Sequence, residues 1–279
     1  MTVPTTSLSS GDEMPMIGFG TWNLPDETVT DSVSAALATG YSHVDTAEGY
    51  HNEAQVGAAI DAVDREELFV TSKVLPKHLA YESVIASAEA TLDRLGTDYL
   101  DLYLVHWPNP AISIRETLSA MAELHDRGLV RNVGVSNFSP YQLSAALQVT
   151  DVPIAVNQIE FHPYLQRPDW VEYTQRQDVT VEAAAPLARA EVLEDPVVTD
   201  LAEDYEKTPA QIVLRWAIEE DVVVIPKSSS RAHIESNLAV TDWELDPADH
   251  ERISDLDRGQ AVYDTRSKDW SDDVYGIEP

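Results

Sequence analysis

The chain has 279 residues, 43% of them hydrophobic, enough for one large core or at most two small ones. Its 49 acidic residues against 18 basic ones leave a formal net charge of −31, which argues against nucleic acid or an anionic membrane as partner, since both need a basic face. There is no cysteine, so disulfides, thiolate catalysis and Cys-based metal sites are excluded.

An acidic excess of this size is often a mark of disorder. Here apolar residues recur periodically along the whole chain, so a folded protein is expected. Lysine occurs only at Lys73, Lys77, Lys207, Lys227 and Lys268. That scarcity beside abundant Asp and Glu reads as a surface adapted to molar salt, with a merely acidic protein as the plainer alternative. No run of about 18 apolar residues is present. The opening MTVPTTSLSSGDE lacks the basic and apolar regions of a secretory signal. A cytoplasmic location without a membrane partner is therefore expected, as a monomer or weak oligomer.

In chain order, the first 14 or so residues read as a cap over one end of the fold. A short strand follows at 17–21 (IGFGT), then a helix in which Val29, Val33, Ala36 and Leu37 share a face. A second strand covers 41–47 (YSHVDTA) and a third 68–74 (LFVTSKV). Val84, Ala88, Leu92 and Leu95 mark the next helix. Strands four to eight fall at 100–107, 130–138, 154–161, 179–187 and 222–228. Their apolar runs are continuous rather than alternating, as in parallel strands buried on both faces. Helix starts are marked by Ser139-Pro140, Thr208-Pro209 and Asp246-Pro247. In each, an oxygen caps an orphan N–H, and proline at the first helical position loses nothing. Beyond about residue 259 an irregular tail is expected.

Strict β/α alternation over this length means a barrel or an open doubly wound sheet. No G-x-G-x-x-G follows any strand, and 18-GFG opens no helix, so a dinucleotide-binding open sheet is disfavoured. The expected fold is α/β, a (β/α)8 TIM barrel of parallel strands, as one domain over 1–279 with its core at about 15–258.

Polar residues cluster where the apolar strands end. They are Asp45 and, just beyond it, Tyr50; Lys73; His106-Trp107; Ser136-Asn137; Gln158; and Lys227-Ser228. Taken singly, each reads as a solvated loop residue. In a barrel all of them lie on one rim, where active sites sit. Trp22 and Trp107 at the same rim read as pocket walls rather than core. His43, His51 and His162 lack ligand spacing, so no metal is expected.

Five segments carry a family resemblance. They are 40-GYSHVDTAEGYHNEAQVGAAI, 99-YLDLYLVHWP, 131-RNVGVSNFS, 156-VNQIEFHPY and 225-IPKSSSRAHIESNL. In this order the chain resembles the aldo-keto reductase family, in its bacterial and archaeal 2,5-diketo-D-gluconate reductase-like branch, from about residue 7 to 258. The resemblance implies NAD(P)H-dependent reduction of a small aldehyde or ketone, of keto-sugar type. It implies a catalytic tetrad of Asp45, Tyr50, Lys73 and His106. Tyr50 would donate the proton. A free tyrosine is a poor acid, with a pKa near ~10, and an adjacent Lys⁺ is expected to lower it. Asp45 would hold Lys73, and His106 would orient the carbonyl oxygen. Trp22, Tyr50, His106 and Trp107 would meet the substrate.

The resemblance also implies a cofactor site. Ser136, Asn137 and Gln158 would bind the carboxamide, with Thr21 and Trp22 near the nicotinamide. Pro186 and Leu187 would line the pyrophosphate. Ile225, Lys227, Ser228, His233 and Asn237 would meet the adenosine end. Two positions depart from the family pattern. Ala184 stands where a Tyr usually stacks on the nicotinamide. His233 stands where an Arg usually meets the 2′-phosphate, which points to NADP(H) with NAD(H) as a second cofactor. A non-catalytic nicotinamide-binding sensor or regulatory subunit is the alternative reading. A barrel hydrolase or isomerase using Glu48, Glu160 and Glu182 is a third, though it leaves Lys73 and Tyr50 unexplained.

Overall fold

The computed structural model describes residues 3–263. Most of the tail, 264–279, lies outside the described residues. The N-terminal segment forms an antiparallel hairpin of β1 (Thr5–Ser7) and β2 (Glu13–Pro15). Met14 on β2 is fully buried, and Asn132 on a barrel strand donates to Asp12 Oδ2 at 2.8 Å. The hairpin thereby plugs the mouth where the strands begin.

Eight parallel strands follow: β3 (Phe19–Gly20), β4 (His43–Asp45), β5 (Phe69–Val74), β6 (Leu100–Val105), β7 (Val130–Ser136), β8 (Ile154–Glu160), β9 (Thr180–Ala184) and β10 (Val222–Val224). Their order is sequential. The sheet closes on itself, because Ile17 bridges Val224 in parallel and Gly18 N donates to Val224 O at 2.8 Å. All six residues of β5 and of β6 are buried, as continuous apolar runs require of strands covered on both faces.

Ten helices lie between or after the strands among the described residues: α1 (Asp26–Thr39), α2 (Glu53–Ile60), α3 (Tyr81–Leu95), α4 (Ile114–Asp126), α5 (Pro140–Leu147), α6 (Pro168–Arg176), α7 (Pro196–Asp204), α8 (Pro209–Glu219), α9 (Arg231–Leu238) and α10 (Pro247–Ser254). The expected caps are present. Ser139 and Thr208 form capping boxes with Gln142 and Gln211, and Asp246 accepts from Ala248 N. α1 stops at Gly40, whose φ of 118° few other residues adopt. Val29, Val33 and Ala36 face the core from α1, and Val84, Ala88, Leu92 and Leu95 from α3. No helix among the described residues is long and apolar enough to cross a membrane.

Candidate active site

Because the strands are parallel, their C-terminal ends share one rim, and the polar residues that end them converge there. Asp45 ends β4, and the backbone then makes a short 3-10 turn, Glu48–Tyr50. Gly49 lets this turn lie close to the barrel. A Cβ there would come within 2.8 Å of Leu75 Cδ2. Glu48 fastens the turn by accepting from Leu75 N at 3.0 Å and pairing with His78 Nδ1 at 2.7 Å.

Lys73 on β5 is fully buried. Its Nζ donates to Asp45 Oδ1 at 2.6 Å, to Thr46 O at 3.0 Å and to Tyr50 Oη at 3.1 Å. A buried ammonium is tolerable only when paired and fully hydrogen-bonded, and here all three of its protons are engaged. The Tyr50 and His106 rings meet edge to face, with centroids 5.6 Å apart. The four residues of the expected tetrad are thus one cluster.

The electrostatics correct one expectation. The Tyr50 phenol is held well above its ordinary value rather than lowered. Burial is the main cause, and the carboxyl groups of Asp45 and Glu182 add to it. Lys73 does not reverse this, since its charge is balanced by Asp45 at contact distance. Burial, helped by the Lys73 charge, keeps the His106 imidazole neutral, well below 6.5.

Above the tetrad lies a pocket of about 350 Å³ of empty space, lined by Trp22, Tyr50, His106, Trp107, Ser136, Asn137, Gln158, Ala184 and Tyr263. Seven of these residues are among the expected site residues. Ser136 Oγ donates to Gln158 O at 2.9 Å, and Asn137 Nδ2 donates to His106 O at 3.0 Å and to Ser136 Oγ at 2.9 Å. Gln158 Nε2 donates to Asp45 Oδ2 at 2.9 Å and to Glu182 Oε2 at 2.6 Å. Gln158 Oε1 takes no donor from the described residues. These amides suit a planar carboxamide, and Ala184 leaves the space a ring would fill.

The end expected to meet adenosine is of a different kind. Lys227 and His233 are exposed, and Lys227 Nζ reaches only Asn23 O at 3.4 Å. Ser228 Oγ accepts from Ser230 N. Arg231 points into solvent and pairs with Glu235 at 2.8 Å. Ile225, Pro186 and Asn237 are buried, and Leu187 is half-buried. Thr21 does not reach the pocket surface. It is fully buried and its hydroxyl donates to Asp45 O at 3.0 Å, so its side chain braces the end of β4.

Two pocket features were not legible in the sequence. Tyr263 enters the pocket because Glu160 accepts from the backbone N–H groups of Val262 at 2.5 Å and Tyr263 at 3.4 Å. The Arg189 guanidinium lies 4.8 Å from the Trp22 ring centre and 5.4 Å from that of Tyr263. The Glu48, Glu160 and Glu182 carboxylates are each bound to neighbouring protein groups, and none of them lines the pocket.

The comparisons agree with this geometry. The family model described as Aldo/keto reductase family matches residues 16–258. The chain is 41% identical over 262 residues to an aldo-keto reductase of Mycolicibacterium smegmatis, covering 93% of this chain and 95% of the relative. It is 40% identical over 261 residues to a glyoxal reductase of Bacillus subtilis, covering 92% and 94%. A crystal structure of a Bombyx mori aldo-keto reductase in complex with NADP superposes with a TM-score of 0.91 at 31% identity, covering 98% of each chain. The chain belongs to the aldo/keto reductase family. It is an oxidoreductase of carbonyl compounds.

Proposed function

We propose that this protein reduces small aldehydes or ketones to alcohols with Tyr50 as the proton donor. The observation that carries the reading is Lys73 Nζ, bonded at once to Asp45 and Tyr50 at the floor of a pocket walled by His106, Trp22 and Trp107. Carbonyl reduction adds a hydride to carbon and a proton to oxygen. A bound reduced nicotinamide supplies the hydride, and Ser136, Asn137 and Gln158 would hold its carboxamide.

The chain's own residues handle the oxygen. A neutral His106 and the Tyr50 hydroxyl both donate toward it, where negative charge grows in the transition state. Tyr50 then releases its proton to the alkoxide oxygen. The tyrosinate left behind is stabilised by Lys73, which Asp45 holds in place. A phenol held above its ordinary value keeps its proton at neutral pH until the alkoxide, a stronger base, takes it.

The finer reading is a keto-sugar reductase of the 2,5-diketo-D-gluconate type. NADPH is its first cofactor and NADH its second, because His233 offers no bidentate guanidinium fork and Arg231 is paired with Glu235, which leaves Lys227 to meet a 2′-phosphate. The net charge of −31 adds adaptation to high salt. At 0.01 M salt the Debye length is ~30 Å and self-repulsion opposes compaction, whereas at 1 M it is ~3 Å and the repulsion is screened.

A panel of carbonyls assayed with NADPH and NADH in molar KCl tests the activity, and absence of turnover on every carbonyl would refute it. Thermal unfolding from dilute buffer to several molar KCl tests the salt reading. The melting temperature is expected to rise steeply, and a flat profile would remove that part.

A further inference from the structure

Beneath the pocket, two carboxyl groups hold one amide. The Gln158 NH2 has two hydrogens, and the structure directs one to Asp45 Oδ2 and the other to Glu182 Oε2, at 2.9 and 2.6 Å. The reversed amide would set its oxygen against Asp45 Oδ2, part of the carboxylate paired with Lys73, so that neighbour favours the orientation with the NH2 toward it. A single bond to Asp45 would let the amide turn about that bond. The second bond fixes its plane and turns Oε1 away from both acids. Gln158 lines the pocket.

Glu182 is otherwise without employment. It is fully buried, and its other oxygen, Oε1, has no hydrogen-bond partner among the described residues. The nearest ring nitrogen is His43 Nε2 at 3.6 Å, which faces Thr71 Oγ1 at 3.1 Å. Burial keeps His43 neutral, down at about 3, so it brings no cation to Glu182. Burial and the Asp45 charge push Glu182 up to about 8. The Lys73 charge only partly offsets this, a buried acid without a cation at contact distance is costly to keep, and Glu182 forms no part of the proton path from Lys73 to Tyr50.

The position on β9 supplies a reason to keep it. Glu182 pairs in register with Gln158, and Ala184 lies two residues further along the same strand face. Ala184 lines the pocket and presents no ring. On a strand whose pocket end gives no stacking surface, orientation of the nicotinamide falls to the hydrogen bonds at its carboxamide. We propose that Glu182 is a positioning residue that locks the Gln158 amide with its oxygen toward the pocket, and so sets which face of the nicotinamide meets the substrate.

This rests on the nicotinamide reading above, and the test separates the two. Binding of NADPH and of 2′-phospho-ADP-ribose, which lacks the nicotinamide, is measured by intrinsic tryptophan fluorescence for wild type, Glu182→Gln and Glu182→Leu. Stereospecificity of hydride transfer is measured with NADPH deuterated at one C4 position. Glu182→Leu fills the volume without an acceptor. It is expected to weaken NADPH about two- to tenfold, the worth of one hydrogen bond, to leave the truncated nucleotide unchanged, and to leak deuterium to the wrong position. Glu182→Gln keeps an acceptor oxygen and is expected to restore both. Equal weakening of the two nucleotides, an unchanged Glu182→Leu, or no rescue by Glu182→Gln would overturn the proposal. Should Glu182→Leu not fold, Glu182→Gln with wild-type affinity ratio and stereospecificity supports it and a changed ratio overturns it. Wild type that binds neither nucleotide would overturn the nicotinamide reading and this proposal with it.

Discussion

The two ends of the site are built on opposite principles. At the proposed nicotinamide end, Asp45, Lys73, Gln158 and Glu182 are all buried and linked in one chain of hydrogen bonds. At the proposed adenosine end, Lys227, Arg231 and His233 are exposed, and Arg231 is paired with Glu235. Charges in a low-dielectric interior interact strongly and are little screened, while exposed charges fade in salt. The chemical end is therefore over-determined by the fold, and the recognition end is left to weak, adjustable contacts.

The sharpest way to break the buried end is Tyr50→Phe. The ring still packs against His106 but carries no proton. Carbonyl reduction should fall by about 10²–10⁴-fold, the usual worth of a general acid, with NADPH affinity retained. A variant keeping more than a tenth of wild-type turnover at saturating cofactor would take Tyr50 out of the reaction.

The next effect reads the buried end through pH. Glu182 is raised from its ordinary 4.5 to about 8 in the folded state. The unfolded chain ionises it near 4.5, so its contribution to stability is full below that pH. It declines as pH rises and is exhausted above about 8. Glu182→Gln cannot ionise. The variant should gain stability relative to wild type by a few kcal/mol between pH 5 and 8. Urea unfolding of both proteins at several pH values measures this, and a pH-independent difference would show that Glu182 is not a buried neutral acid.

The smallest expected effect belongs to the exposed end. His233→Arg offers a charged fork to a 2′-phosphate and should shift kcat/KM toward NADPH over NADH by ~1.5–3 kcal/mol in dilute buffer. The shift should shrink in molar salt. Assays of both cofactors at both salt levels check it. A wild type already as NADPH-selective as the variant would mean that another residue decides the choice.

The same division marks what could be read before any coordinates. The barrel strands announced themselves as apolar runs, because strands covered on both faces have little choice of residue. Asp45, Tyr50, Lys73 and His106 stood out because polar side chains at the ends of such strands have no packing role. The interplay between them did not show. Lys73 beside Tyr50 suggested a lowered phenol, and the depth of burial, with the Asp45 and Glu182 carboxyl groups, reverses that. Gln158 meets Asp45 across 113 residues of sequence and Glu160 meets Val262 across 102. No local pattern encodes pairings of that range, so the amide lock and the entry of Tyr263 were hidden. The direction of the Thr21 hydroxyl, toward Asp45 O across 24 residues of sequence, was hidden for the same reason.

The closure of the barrel carries a consequence for how the protein is made. Ile17 near the beginning of the chain bridges Val224 on the last strand. Until β10 has been synthesised, β3 has no neighbour on its open side, and every partly wound sheet presents two unpaired strand edges. Closing so long a loop is slow, and unpaired edges invite pairing between molecules. Chains that each carry −31 repel one another while those edges are bare. The acidity that hinders compaction of one molecule in dilute buffer thus acts between molecules as a guard during folding, and it weakens as salt rises. Refolding yield should for this reason peak at a salt concentration where closure is fast and chains still keep their distance.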